Sequence, residues 1–370
     1  MSAPLEGIKV VELARILAGP WAGQVLADLG AEVVKVESPA GDDTRTWGPP
    51  FIQRADGSQD AAYFHAANRG KSSIIADFND PEDHAKVLDL IRDADVLIEN
   101  FKTGGLAKFG LDYESVKEIN PRLVYCSITG FGHTGPYAPF AGYDFIIQGM
   151  SGMMDLTGFP DGPPTKIGMA YADILTGLYG VIGIQAALHQ RESTGRGQHI
   201  DMSLFDTMVG TLANQAMNYL VSGKAPHRMG NAHPNIVPYE AFPCEDGWLI
   251  IAVGNDRQFK RLVELLELEC EEGWATNPGR VQDRVDVSAA ISAATANWKR
   301  DDLLEKLEEL RVPAGPIHDV GEALNDPQIV ARKMVVDLEE NIRGIRTPIT
   351  FSDAELALGK PSPMMPKKGA

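Results

Sequence analysis

The stretch IKVVELARILAGPWAGQVLADLGAEVVKVE, residues 8–37, decides the fold. Ile8–Leu13 and Val33–Val36 are apolar, β-branched runs, and Ala22–Leu29 between them carries apolar residues at helical spacing. Strand, helix and strand in so short a span make a βαβ unit. The same alternation continues outward. Strand patterns at Ser73–Ile75, Val96–Ile98 and Leu123–Ile128 alternate with helical patterns at Asp80–Ile91, with Pro81 in its first turn, and at Tyr113–Ile119. Such repetition predicts an α/β fold with a parallel sheet covered by helices on both faces.

Near Asp173 the pattern changes to a long apolar helix running to about Arg191, then a strand at His199–Met202 and a helix from Phe205 to about Val221. A composition shift follows Gly223, and Lys224–Pro243, rich in proline and polar residues, reads as a linker or binding loop. Beyond it, Trp248–Val253 reads as a strand, and Gln258–Leu268, Val281–Trp298 and Asp301–Leu310 as amphipathic helices. Pro313-Ala-Gly-Pro316 ends that region and Gly321–Met334 supplies one more helix. The expected organisation is a large domain, residues 1–222 completed by 325–370, with a smaller α-rich domain over 223–324.

The 370 residues carry 34 Lys and Arg against 51 Asp and Glu, a formal charge of −17. So acidic a chain does not wrap nucleic acid or coat an anionic membrane, because bulk repulsion opposes both. Local recognition of a small anion is left open. Residues 240–311 hold 16 acidic and 9 basic side chains, so much of the excess lies away from the first βαβ unit. Cys126, Cys244 and Cys270 are widely spaced with no CxxC pair, which suits a reducing compartment. The first residues enter a strand pattern at once, and the charge-free stretch Ile174–Leu188 is short for a bilayer span. These features predict a soluble, cytoplasmic protein.

Gly130-Phe-Gly132-His-Thr-Gly135 follows a strand with the spacing of a dinucleotide fingerprint, but Pro136 and Pro139 stand where the fingerprint needs a helix. The unit at residues 8–37 ends in an acidic residue, yet its turn lacks the second and third glycines, so NAD binding is not indicated. The candidate basic residues are Arg45, in a polar loop after one strand pattern, the Arg69 and Lys71 of Asn68-Arg-Gly-Lys71, which precedes another, and the Lys102 of Asn100-Phe-Lys102, which ends a third. Converging strand ends would make them a phosphate pocket, with Arg69 as the fork and the lysines as point charges. Asp173, in Gly168-Met-Ala-Tyr-Ala-Asp-Ile-Leu-Thr-Gly177, sits at the mouth of the apolar helix. Taken alone it is best read as an N-cap, and it also suits a nucleophile with backbone donors beside it. Tyr143-Asp144 reads as a further cap or as part of a site. The histidines lack metal-ligand spacing, so no metal is expected, and no Gly-x-Ser-x-Gly elbow is present.

From Pro4 to Ser362 the chain resembles the class III (CaiB/BaiF-type) CoA-transferases, which are related by fold to the α-methylacyl-CoA racemases. Its landmarks include Pro4–Glu12, Ala18-Gly-Pro20, Leu29–Glu37, Asn68–Lys71, Glu99-Asn-Phe101, Ser127–Gly132, Thr194–Gln198, Arg311–Pro316 and Asn325-Asp-Pro327. The resemblance implies a Rossmann-like large domain, a smaller domain and an interlocked homodimer. It implies Asp173 as the nucleophile that forms an aspartyl-CoA thioester, with Asp144 orienting it. Arg45, Arg69, Lys71, Asn100, Lys102 and Tyr143 become candidates for holding coenzyme A, which is a substrate here and not a resident cofactor. Where racemases carry an acid/base His and a Glu, this chain has Tyr143 and Asn255, and a tyrosine with a pKa of about 10 is a poor base. The loop Gly230–Tyr239 lacks the glycine run of formyl-CoA:oxalate enzymes, although its Asn231, His233 and Asn235 could meet an acceptor. The expected reaction moves CoA from succinyl-CoA to a dicarboxylic acid; the alternative is an α-methylacyl-CoA racemase. An NAD-binding oxidoreductase or a non-catalytic CoA-binding protein is the competing class.

Overall fold

The computed structural model describes residues 2–366. Residue 1 and residues 367–370, the outer ends of the expected large domain, lie outside the described residues. The chain forms two compact units, one from Met1–Met153, Lys166–Ser222 and Pro327–Ala370, the other from Met154–Thr165 and Gly223–Asp326. Residues 154–165, expected in the large domain, belong to the second unit. There Arg228 pairs with Asp155 at 2.7 Å and donates to the Gly162 carbonyl at 3.0 Å.

The first unit is built on six parallel strands: β1 Lys9–Glu12, β2 Glu32–Glu37, β3 Ser72–Ile75, β4 Val96–Glu99, β5 Val124–Thr129 and β6 His199–Ser203. Their order is β3-β2-β1-β4-β5-β6, that of doubly wound sheets, and it reverses between β1 and β4. Alternate side chains serve two cores. Val10, Ile98, Cys126 and Ile128 face helices α1 (Ala18–Asp28) and, further on, the long helix Tyr171–Thr194. Val11, Leu97 and Tyr125 face α2 (Pro81–Asp93), whose Val87 and Ile91 are fully buried. Burial on both faces explains why these strands read as continuous apolar runs.

Two helices position the candidate nucleophile. The chain leaves β5 and turns back so closely that a Cβ on Gly130 would lie 2.4 Å from the Gly142 backbone. It then enters α3 (Asp144–Met150), a helix the sequence pattern did not reveal. The long helix, α4 (Tyr171–Thr194), packs along α1 and ends at Gly195, left-handed at φ 69°. Arg191 in its last turn is buried and pairs with Asp95 at 2.8 Å. Among the described residues α4 is the one helix long and apolar enough to cross a membrane, and here it is the core helix of the first unit.

Some expected helices are broken. The run from Phe205 to Val221 is two helices, α5 (Leu204–Gly210) and α6 (Ala213–Ser222), because Ala213 at φ 47° interrupts the helical path. The run at 321–334 is likewise two, Val320–Asn325 and Pro327–Ala331, with Asp326 extended before a proline. The run at 281–298 divides at Asp283 into Asn277–Gln282 and Arg284–Thr295.

The second unit holds an antiparallel sheet ordered β9-β8-β7, from β7 Tyr239–Cys244, β8 Gly247–Ala252 and β9 Ala314–Pro316. β7 lies inside the stretch read as linker, and β9 inside the one read as a terminator; prolines at their non-bonded edges hid both. Phe242, Leu249 and Ile251 pack on Phe259 and Leu262 of α7 (Asp256–Leu266), on Val287 and Ile291 of Arg284–Thr295, and on Leu303 and Leu307 of Arg300–Glu309.

Candidate active site

At the reversal between β1 and β4 the loop Leu13–Leu17 meets the segment Asn100–Lys102. The Asn100 carboxamide accepts from the Arg15 N–H at 2.9 Å and donates to the Arg15 carbonyl at 2.7 Å. Both ends of the side chain are therefore engaged, and Asn100 clamps the loop. Ile16 follows with φ 71°, a strained value for a β-branched residue, and Asp42 accepts its N–H at 3.2 Å. Strain of this kind, of order 1–3 kcal/mol, persists where surroundings over-determine the backbone.

A buried charge network does so here. Lys35, entirely buried, pairs with Glu12 at 3.1 Å and Asp42 at 2.9 Å and donates to the Ala14 carbonyl at 2.8 Å. Burial works against its charge, but Glu12 and Asp42 outweigh burial and hold the ammonium above its usual pKa. Lys71 spends its three N–H groups on Glu12, Asn68 and the Pro20 carbonyl. Burial, helped by nearby Lys35, lowers its pKa to about 8. The signal for this network is legible afterwards: Glu12 and Lys35 are charges inside otherwise apolar strands.

The phosphate pocket expected from Arg45, Arg69 and Lys71 is corrected by these contacts. Their relative exposures are 6%, 3% and 4%. Arg45 pairs with Glu37 at 2.7 Å and Asp60 at 3.0 Å, and Arg69 forks onto Asp28. Polar groups buried this deeply must be paired within the chain, which leaves no cation to offer a ligand. Lys102 and Tyr143 remain exposed, Tyr143 at 62%.

At the N-terminus of α4 Asp173 is not the cap. The N-cap position is Ala170, which makes no side-chain cap, and Asp173 is the third helical residue. Asp144 does the capping from α3: one carboxylate oxygen accepts the Ala172 N–H at 2.8 Å, the other the Gln148 amide at 2.8 Å. The Asp173 carboxylate accepts no hydrogen bond among the described residues. Its pKa is raised to about 7, first by burial and then by the neighbouring Asp144 charge. Against the ordinary 3.8, that opposes ionisation by roughly 4 kcal/mol. A helix end returns only ~1 kcal/mol in favour of the anion, so burial wins.

A small residue lets two helices approach closely near Asp173. Gly177, one turn further along α4, lies so close to α1 that a Cβ would sit 2.6 Å from the Ala18 carbonyl. This contact brings the Arg15–Ala18 loop alongside the end of α4 that carries Asp173. Tyr63, which the sequence reading missed, lies near enough that burial and the charges of Asp173 and Asp144 raise its pKa; its ring packs edge-on against Trp47 at 5.3 Å. A desolvated carboxylate with both oxygens unengaged, next to backbone donors, is equipped to attack an acyl carbon.

Asp144→Asn retains a capping oxygen but removes the like charge. The Asp173 pKa should fall, so the ascending limb of the pH–rate profile should move to lower pH with little loss of melting temperature. Asp144→Ala should in addition lose about 1 kcal/mol with the cap. Both are checked by pH–rate profiles and thermal melting.

No group of three or more His, Cys, Asp or Glu able to hold a metal occurs among the described residues. Asn255 is the N-cap of α7, accepting the Gln258 N–H at 3.0 Å, which accounts for it structurally.

Comparison with known proteins agrees with this chemistry. The family model described as CoA-transferase family III matches residues 5–368. A succinate–glutarate CoA-transferase of Agrobacterium fabrum is 58% identical, covering 98% of this chain and 93% of that protein. The succinyl-CoA:glutarate CoA-transferase of Homo sapiens is 39% identical, covering 98% and 83%. The crystal structure of a CaiB/BaiF family protein from Brucella suis superimposes with a TM-score of 0.91 at 62% identity, covering 99% of this chain and 97% of that one. The family carries CoA transfer, and these relatives do not favour the racemase reading. The parallel-sheet α/β fold, the acidic pair at the end of α4 and the match over almost the whole length place this chain in CoA-transferase family III, as an enzyme that transfers CoA.

Proposed function

We propose that the enzyme moves CoA from succinyl-CoA to a dicarboxylic acid through a thioester on Asp173. The carrying observation is the half-buried Asp173 carboxylate, free of hydrogen bonds among the described residues while Asp144 takes over the helix cap. The ionised Asp173 attacks the thioester carbonyl, and the C–S bond breaks to release CoA thiolate and leave an acyl-aspartyl anhydride. The thiolate attacks the aspartyl carbonyl, forming the aspartyl-CoA thioester and releasing the donor carboxylate. The acceptor carboxylate attacks that thioester, and the same steps in reverse deliver the new acyl-CoA and free Asp173. Each intermediate keeps the acyl activation that hydrolysis would lose.

The substrate choice is supported by the relatives from Agrobacterium fabrum and Homo sapiens, both named for succinate or succinyl-CoA and glutarate. CoA would lie outside the strand ends at the β1/β4 reversal of a Rossmann-like large domain, near Lys102 and Tyr143, as substrate and not as a resident cofactor. Residues 1–222 with 325–370, apart from the 154–165 segment that joins the second unit, would form that domain and 223–324 the small one. An interlocked homodimer is supported by apolar side chains left open on the first unit, including Phe140 at 60%, Ile182 at 62% and Val221 at 81% exposure. A cytoplasmic location suits the three free cysteines.

Mass spectrometry of the enzyme after incubation with succinyl-CoA tests the mechanism. A hydroxylamine-sensitive CoA adduct should map to the peptide holding Asp173; an adduct elsewhere, or turnover with none, overturns it. Because Asp173 must ionise and its pKa is about 7, kcat/KM for succinyl-CoA should rise about tenfold per pH unit below that value and level off above it.

A further inference from the structure

A substrate with a second carboxylate needs a cation to receive it, because the charge loses hydration on entering a site. Around the strand ends of the first unit most cations are consumed: Lys35, Arg45, Arg69 and Lys71 lie in buried ion pairs. Arg15 differs in every respect. Its backbone is held at N–H and carbonyl by Asn100, and the strained Ile16 beside it is held by Asp42. Its side chain is 61% exposed, and the one partner it has is Asp43, itself exposed, at 2.7 Å to a single Nη. Nε and the other Nη have no partner among the described residues, so the guanidinium offers an open fork. The loop that carries it runs into Ala18, which touches Gly177 one turn from Asp173.

Building on the CoA-transferase mechanism above, we infer that Arg15 is the specificity-determining residue that receives the distal carboxylate of the dicarboxylic acid whose other carboxyl group reacts at Asp173. Asp43 is its resting partner, and the incoming carboxylate competes with Asp43 for the fork. Asn100 and Asp42 hold the loop's backbone, and Asp43 holds the guanidinium, so the fork is placed before substrate arrives.

Steady-state kinetics of Arg15→Gln, with free CoA as competitive inhibitor, test this. Loss of a charged hydrogen-bonding partner should lower kcat/KM for succinyl-CoA and raise KM for glutarate by roughly 10- to 100-fold. The inhibition constant of CoA, which has no acyl group, should stay within about threefold. Arg15→Lys should recover part of the loss, and Asp43→Asn, which frees the fork, should lower KM for glutarate. An equal weakening of CoA, meaning that Arg15 serves the nucleotide part, overturns the inference. So does an unchanged kcat/KM for succinyl-CoA in a variant that melts like the parent. Failure of the mechanism itself is recognised separately, as the absence of any Asp173 adduct in the unsubstituted enzyme.

Discussion

Replacing Asp173 with alanine or asparagine should reduce CoA exchange by a factor on the order of 10⁴ or more, with the fold intact. In the proposed mechanism both acyl transfers pass through this carboxylate, and its acidic neighbour is not equipped to replace it. Asp144 is engaged at both oxygens, by the Ala172 N–H and the Gln148 amide. The same substitutions should leave the protein as stable or more so. A folded pKa near 7 lies above the ordinary 3.8, so between these values the folded state binds the proton that the unfolded chain releases. Stability contributed at this site therefore falls as pH rises from about 4 to about 7, and the penalty is complete above that range. Asp173→Asn has no charge to bury. Its gain in melting temperature should be larger at pH 8 than at pH 5, by a few degrees at most. Equal or lower melting temperatures at both pH values would show that the carboxylate is structurally supported after all.

Lys35→Met should destabilise the protein by about 3–5 kcal/mol at neutral pH, measured by denaturant unfolding. Lys35 neutralises two buried carboxylates, Glu12 at 3.1 Å and Asp42 at 2.9 Å, and both have less than 1% side-chain exposure. Lys71 still answers Glu12, but Asp42 is left with hydrogen bonds and no buried cation beside it. Asp42 also holds the Ile16 N–H, and Lys35 the Ala14 carbonyl, so the strained loop loosens with the network. Catalysis should suffer beyond the loss of folded protein, seen as a higher KM for succinyl-CoA in the folded fraction. The sign with pH follows from Asp42. With Lys35 present, burial opposes ionisation of Asp42, yet Lys35 and Thr44 hold its pKa below 3.8. That stabilisation is present above pH 4 and lost as pH falls further, so the difference between Lys35→Met and the parent should shrink in acid. A loss of less than 1 kcal/mol would mean that water reaches Asp42 and the network is not dry.

The fold was legible because its signal is local. Residues 8–37 show strand, helix and strand in their own apolar spacing, and each later βα repeat does the same. Elements marked by weaker local patterns were not legible. α3 holds only Ile147 and Gln148 buried, too few for an apolar stripe, and β7 carries Pro243. The acidic candidates Asp173 and Asp144 were legible, since a carboxylate at the mouth of an apolar helix and a family resemblance both mark Asp173. Their division of labour was not, because a cap and a nucleophile are the same residue type at nearly the same position.

Charge by residue type misled most. Arg45 follows β2, and Arg69 and Lys71 stand just before β3, but sequence reveals the cations without their partners. Glu37, Asp60, Asp28 and Glu12 reach them from elsewhere in the chain, as far as 59 residues away for Lys71 and Glu12. Arg15 escaped notice for the converse reason, as nothing local shows that its partners leave half its guanidinium open.

Sequence by itself determined the parallel α/β layout and the family, and singled out Asp173 as the candidate nucleophile, because periodicity and ordered landmarks are properties of the chain alone. Tertiary structure decided which carboxylate caps α4 and which is left free, which cations are sealed in ion pairs, and where a strained turn is held. Those outcomes depend on distances between residues far apart in sequence and on the water that burial removes, and only the folded chain has either.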